Sequence, residues 1–313
     1  MKDTISNAGK FQNADITADG SARARVAFSD PQTIWFNTGT LCNITCVNCY
    51  IDSSPTNDAL EYIGVDDVRG YLEELDGLAW SVREIAFTGG EPFMNPQMCA
   101  MAREALSRGY EVLILTNAML PMMRPNVQAD LAALCAEFGD KLTLRVSLDH
   151  WSQAAHDEMR GAGSYERTLK GMDWLRGAGV KMAVAARSLW HETDAETRAG
   201  FAKMFAAHSY NIDAQDPAIT VIFPEMDETV EVPEITTACW GILDKTPESV
   251  MCASSRMVVK RKGCAPSVVA CTLLPYDLEF DLGPTLEGAS RDVALNHPHC
   301  AKFCVLGGAS CSA

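Results

Sequence analysis

LCNITCVNCY, residues 41–50, carries three cysteines, Cys42, Cys46 and Cys49, in the spacing Cys-x3-Cys-x2-Cys. It follows the apolar run TIWFNTG (33–39), which has the character of a strand delivering its end to a loop. Three thiolates arriving together suit a metal cluster. Iron-sulfur clusters are held by cysteine thiolates, usually four, so a compact trio leaves one iron of a 4Fe-4S cube open to a substrate or cofactor. The plainer alternatives are a partial zinc site, or chance in a chain of twelve cysteines. Zinc sites of this kind pair one Cys-x2-Cys with another downstream, whereas this motif stands alone on the N-terminal side.

A second motif lies one strand and one helix later. FTGGEPF (87–93) follows the apolar stretch REIAF and precedes a helix-like segment, which places Gly89, Gly90 and Glu91 at the C-terminal end of a strand. From Thr33 onward, apolar runs of strand length alternate with amphipathic runs of helix length, the pattern of parallel βα units. The strands are expected at 34–37, 84–87, 111–115, 142–148, 181–186 and 219–223. Helices are expected at 66–75, 96–107, 126–138, 165–176 and 195–208. Six such units close part of a barrel, an α/β fold of the (β/α)6 TIM-like kind. In parallel barrels the chemistry gathers at the C-terminal strand ends. The cysteine loop, the Gly-Gly-Glu turn, Thr116-Asn117 and Ser147-Leu148-Asp149 all fall at such ends.

In CNITCVNCY, FTGGEPF and RVSLDH (145–150) the chain resembles the radical S-adenosylmethionine (SAM) enzymes. That resemblance implies that Cys42, Cys46 and Cys49 ligate a 4Fe-4S cluster whose fourth iron is chelated by SAM. Glu91 and the Gly89-Gly90 backbone would then receive the SAM amino group. The chemistry is consistent: glycines let backbone approach a ligand, and a carboxylate pairs with an ammonium. Asn48 departs from the family, which often has an aromatic residue before the third cysteine; Tyr50 is adjacent. Cleavage of SAM would yield a 5'-deoxyadenosyl radical that takes a substrate hydrogen, with a reducing partner such as flavodoxin or ferredoxin supplying the electron.

Other rim residues are candidates for SAM. Ser147 and Asp149 share a strand face and are expected at the SAM carboxylate or ribose; a strand-end turn is the alternative. Asn117 is a further candidate, although Asn is also an ordinary loop residue. Within HDEMRGAGSYERTL (156–169), which resembles peptide-modifying members, Arg160 is a candidate for the SAM carboxylate, with Arg187 behind it. His150, Trp151 and His156 are expected to pack or face solvent, and Cys99, Cys135 and Cys239 to be small buried hydrophobes.

After the sixth strand, PEMDETVEVPEIT (224–236) reads as a connector and ITTACWGILDK (235–245) as a last barrel helix. Six cysteines follow, and MVVKRKG with SVVACTLL reads as a hairpin. The layout resembles the twitch domain, a shortened relative of the SPASM domain, which implies one auxiliary 4Fe-4S cluster. Cys252, Cys271, Cys300 and Cys304 fit its ligand roles, with Cys264 and Cys311 as alternates. Two clusters, a zinc site or unbound thiols are the other possibilities. The expected organisation is a polar leader (1–30), mobile or draped on the surface, a barrel (31–235) and a cysteine-rich C-terminal domain (236–313).

The net charge of -15 disfavours a phosphate-backbone partner. The sequence shows neither a membrane span nor a secretory signal, which leads to the expectation of a cytosolic protein, where cysteines serve metals more than disulfides. The acidic balance and the lack of a peptide-binding module tilt the substrate toward a small metabolite, oxidised or rearranged, with a peptide as the alternative. From a different class, a non-catalytic iron-sulfur electron carrier would hold clusters without binding SAM.

Overall fold

A computed structural model describes residues 9–224 and 230–307; Cys311 lies outside the described residues. Strand β1 is Arg25–Val26 and β2 is Thr33–Asn37. The units that follow are α1 (Val65–Gly77), β3 (Glu84–Thr88), α2 (Met98–Ser107), β4 (Glu111–Thr116), α3 (Pro125–Phe138) and β5 (Leu142–Ser147). Then come α4 (Gln153–Arg160), α5 (Ser164–Gly177), β6 (Lys181–Arg187), α6 (Asp194–His208) and β7 (Thr220–Phe223). The C-terminal part holds α7 (Cys239–Ile242), β8 (Ser255–Val259), β9 (Ser267–Val269), β10 (Asp281–Gly283) and β11 (Val293–Ala294), ending in a π-helical turn, Cys300–Leu306.

The main sheet runs β10-β9-β8-β2-β3-β4-β5-β6-β7. Strands β2 to β7 are parallel neighbours throughout, which is the six-stranded partial barrel. Every residue of β2 is buried, as expected of a parallel strand covered on both faces. Helix α1 buries Val68, Tyr71, Leu72 and Leu75 at helical spacing. Its first turn is fixed by Asp67, whose carboxylate accepts the Gly64 N–H at 3.0 Å. Because all six strands point the same way, their C-terminal ends share one rim.

Three local expectations are revised. The leader is not mobile where it is described: Arg23, Ala24 and Val26 are buried, β1 pairs antiparallel with β11, and Arg23 bonds Glu234 at 2.5 Å. The anchoring is non-local, so no sequence periodicity announces it. ITTACWGILDK makes only the four-residue α7 rather than a barrel helix, since its Gly241 and Asp244 interrupt the apolar face; Asp244 takes a positive φ. Finally, the hairpin region does not stand apart, because β8 joins the sheet parallel to β2, with Thr33 opposite Ser255. Strand β9 pairs antiparallel with both β8 and β10. Among the described residues no helix is long and apolar enough to cross a membrane.

Candidate functional site

Cys42, Cys46 and Cys49 line a cavity of about 560 Å³ at the rim, together with Gly89, Gly90 and Asn117. Several contacts hold the cysteine loop in place. The Cys42 N–H donates to Ser54 O at 3.0 Å and the Val47 N–H to Met159 O at 2.8 Å. Arg187 Nη1 donates to Val47 O at 3.1 Å, and Tyr50 Oη meets Thr88 Oγ1 at 3.0 Å. Asn48 adopts φ +51°, the left-handed region that Asn tolerates. Burial pushes the Cys42 thiol up to about 12, and the charges of Glu91, Cys46 and Cys49 push the same way. Cys46 is also raised, by burial first, although Arg160 opposes it.

The glycines do something the sequence reading missed. A Cβ on Gly90 would lie 2.3 Å from Leu41 O, and one on Gly89 would lie 2.6 Å from Gly39 O. Gly90 N–H and Glu91 N–H donate to Gly39 O and Leu41 O at 2.9 and 3.1 Å. The pair therefore lets the turn after β3 press directly against the backbone leading into the cysteine loop.

Glu91 is buried at 1% exposure. Its carboxylate accepts from Thr116 Oγ1 at 2.9 Å, Asn117 N at 2.8 Å and Phe93 N at 3.2 Å. Burial raises it to about 7 against those three donors. The side chain thus splints the ends of β3 and β4. Asn117 carries the tie onward, donating to Asn43 Oδ1 at 2.9 Å with its amide 3.9 Å from Cys42 Sγ.

Asp149 and Arg160 form a bidentate pair at 2.9 and 2.8 Å, with Arg187 Nε 3.6 Å from the same carboxylate. Burial opposes both charges. Arg160 and Arg187 nevertheless hold the Asp149 carboxyl below its usual range, and Asp149 and Cys46 keep Arg160 firmly charged. Arg160, Arg187 and Ser147 line the cysteine cavity, while Asp149 is committed to the arginines. His156 is buried with Nδ1 accepting the Asp149 N–H at 3.2 Å; burial lowers it to about 4. His150 packs between Trp151 and Trp190. Ser53 was not singled out from the sequence. It lines the cavity, and its buried Oγ has no hydrogen-bond partner among the described residues. Nothing in the local pattern sets this serine apart from its neighbour Ser54.

A second cavity, of about 370 Å³, is lined by Cys252, Cys271, Cys300 and Cys304 among mostly apolar side chains and His299. Cys252 lies in the turn before β8, Cys271 just after β9, and Cys300 and Cys304 on the π-helical turn, a geometry that recurs at functional sites. Burial raises the Cys252 thiol to about 11. Cys264 is exposed in the turn between β8 and β9 and is not among the residues lining this cavity. Cys99, Cys135 and Cys239 are half-buried, outside both cavities.

A third cavity, of about 650 Å³, lies between these two and was not foreseen. It shares Tyr50, Ser147, Arg160 and Arg187 with the first and Leu273 with the second, and Phe223 and Phe303 add apolar wall.

The donor chemistry fits iron-sulfur groups. Among the described residues no three His, Cys, Asp or Glu side chains converge as a single metal ion requires; the thiols stand around voids instead. Three thiols beside glycine backbone, an orphaned hydroxyl and a fixed guanidinium suit a cluster with a polar ligand on its open iron. Four thiols in an apolar chamber suit a cube ligated wholly by protein.

The chain is 27% identical over 234 residues to the antilisterial bacteriocin subtilosin biosynthesis protein AlbA of Bacillus subtilis, covering 72% of this chain and 48% of that protein. It is 30% identical to an AdoMet-dependent heme synthase of Methanosarcina barkeri, covering 47% of this chain and 40% of that one. The chain thus spans about half, or less, of the curated relatives it matches. Its fold matches that of Streptococcus suis SuiB bound to S-adenosylmethionine with TM-score 0.59 at 12% identity, over 82% of this chain and 63% of that one. The same protein bound to precursor peptide SuiA gives 0.58, at the same identity and coverage. Residues 36–198, which span β2 to the first turns of α6, match the family model described as the Radical SAM superfamily, and the chain is a radical SAM enzyme belonging to that superfamily.

Proposed function

We propose that this enzyme modifies a peptide, seated in the middle cavity between a SAM-binding 4Fe-4S cluster and one auxiliary 4Fe-4S cluster. The observation that carries the reading is the series of three cavities, in which the middle one borrows its walls from both cysteine sites. The substrate thereby shifts from the small metabolite, favoured by the acidic balance and the lack of a peptide-binding module, to a peptide. Net charge reports on the whole surface, whereas the cavity is local. AlbA is named for the biosynthesis of a bacteriocin and SuiB is described with a precursor peptide. The likeness to the heme synthase covers less than half of this chain, too little to argue for its substrate.

Cys42, Cys46 and Cys49 would hold the first cluster, and Asn117, Ser53, Ser147 and Arg160 would receive the polar groups of SAM. Asp149 fixes the Arg160 guanidinium in one plane, a preorganised arrangement for a carboxylate. Gly89, Gly90 and Glu91 hold the cysteine loop to the rim. When bound, the cluster and SAM supply a one-electron cleavage that leaves a carbon-centred oxidant for substrate hydrogen. Phe223, Leu273 and Phe303 keep water from the middle cavity, where a reactive species needs protection. Cys252, Cys271, Cys300 and Cys304 would hold the auxiliary cube. The proposed organisation keeps a barrel of 31–235 and a cluster region of 236–313, built on one continuous sheet.

The test begins with anaerobic reconstitution with iron and sulfide, followed by dithionite, SAM and detection of 5'-deoxyadenosine. Co-expression with short peptides encoded beside the gene is then read by mass spectrometry. About eight irons per chain, counting two cubes, with deoxyadenosine and a mass change in one peptide, is the expected result. Deoxyadenosine formation stimulated by small metabolites and by no peptide would overturn the substrate class. Cluster loading without SAM cleavage would return the electron-carrier reading.

A further inference from the structure

Arg256, at the start of β8, is 0% exposed. Its Nη1 donates to Cys252 O at 2.6 Å and Ser255 O at 2.9 Å, its Nε to Ala289 O at 2.9 Å and its Nη2 to Arg291 O at 3.0 Å. The Phe28 ring covers it, with its centroid 4.0 Å from Cζ. All of these partners are neutral. Arg23 and Arg198, also buried, are paired with the carboxylates of Glu234 and Asp194, and the partly buried Arg160 with that of Asp149. No carboxylate among the described residues forms an ion pair with Arg256.

A buried charge without a counter-charge is costly. Arg256 is tied to the second cysteine chamber by geometry: the carbonyl that accepts its Nη1 at 2.6 Å belongs to Cys252, whose side chain lines that chamber. A thiolate-held cube is an anion and becomes more negative by one electron on reduction, with no proton required. A fixed cation in a low-dielectric wall favours the reduced form, because charge interactions there are weakly screened. Net charge and local field are among the levers that set cluster potentials.

We propose that Arg256 is the built-in counter-ion of the auxiliary cluster and sets its potential upward, poising it to accept an electron. The inference rests on the auxiliary-cluster reading above and concerns a positioning residue, since Arg256 acts through the field it places at the cube.

The test uses full-length protein carrying Cys42→Ala, Cys46→Ala and Cys49→Ala, so that only the auxiliary cluster loads, titrated with dithionite and followed by electron paramagnetic resonance. Arg256→Gln should lower the reduced-to-oxidised ratio at a fixed poise by about tenfold, a shift of about 59 mV for one electron. Arg256→Lys keeps the charge and should hold the potential near the parent value, although it loses carbonyl bonds and melts earlier. A merely structural role would move melting in both variants and the potential in neither. Phe28→Glu supplies a carboxylate from the half-buried side while leaving Arg256 in place, and should also lower the potential; it decides the matter if Arg256→Gln fails to fold. Coincident potentials in loaded Arg256→Gln or Phe28→Glu would overturn the inference alone. An unmutated protein that binds about four irons and a triple variant that binds none would remove the auxiliary cluster, and the inference with it.

Discussion

The two cysteine chambers differ in what surrounds their thiols. The rim chamber is polar, with Asn117, Ser53, Arg160 and Arg187 facing the three cysteines. The chamber beneath the hairpin is lined mostly by aliphatic and aromatic side chains, with His299, around four cysteines, and the buried Arg256 guanidinium bonds the Cys252 carbonyl. The Ser53 hydroxyl at the rim, which has no hydrogen-bond partner among the described residues, is open to a ligand, whereas the four thiols of the other chamber stand among mostly apolar walls. On the proposed reading, exchange of a ligand belongs to the rim and storage of an electron to the interior.

Replacing Cys46 with Ala offers the hardest break of this contrast. SAM cleavage should be abolished while about half of the iron remains, reflecting one surviving cube; retained deoxyadenosine formation would remove the rim assignment. Replacing Cys271 with Ala should do the reverse, leaving deoxyadenosine formation intact while product is lost and iron halves. Cys264→Ser is the internal control and should change neither quantity, because its side chain is exposed at the hairpin tip.

Smaller effects sharpen the comparison. Arg160→Gln removes a charge-assisted contact worth about 1.5–3 kcal/mol, so SAM affinity by calorimetry should fall roughly tenfold to hundredfold; unchanged affinity would leave Arg160 a purely structural partner of Asp149. Glu91→Gln should act on stability more than on SAM. Its amide nitrogen cannot accept the hydrogen bond of Thr116 or of Asn117, a loss of about 1–3 kcal/mol for a buried donor left unmet. A lower denaturation midpoint with little change in SAM affinity is expected, and the opposite pattern would restore a direct contact with the ligand.

Much of this arrangement was legible from local pattern. Strand runs such as TIWFN and EVLIL are continuous and apolar, and the chemistry-bearing residues follow them directly. The hairpin between MVVKRKG and SVVACTLL was readable for the same reason, and with it the places of Cys252 and Cys271. Helix α4 was missed because its eight residues follow a His-Trp-Ser turn and carry little apolar surface. The docking of β1 on β11 and of β8 on β2 was beyond reach, since partners so distant in sequence leave no periodic trace. Asp149 and the two glycines were singled out correctly as belonging to the rim, but residue type could not reveal that their contacts are spent on Arg160 and on the cysteine-loop backbone. The middle cavity was invisible because its walls come from segments with nothing in common but their meeting place.

The parallel pairing of Thr33 with Ser255 also governs the order in which the molecule can be completed. Strand β2 carries the cysteine loop at its end, and its second neighbour, β8, is synthesised only after all the other parallel strands of the sheet. Contacts between such remote segments form late, because a long loop must close first. During synthesis β2 is therefore an open edge, and an open edge invites pairing with other chains. On the proposed reading, machinery that delivers iron and sulfur would meet a protein whose cysteine loop is made before the strand that walls it.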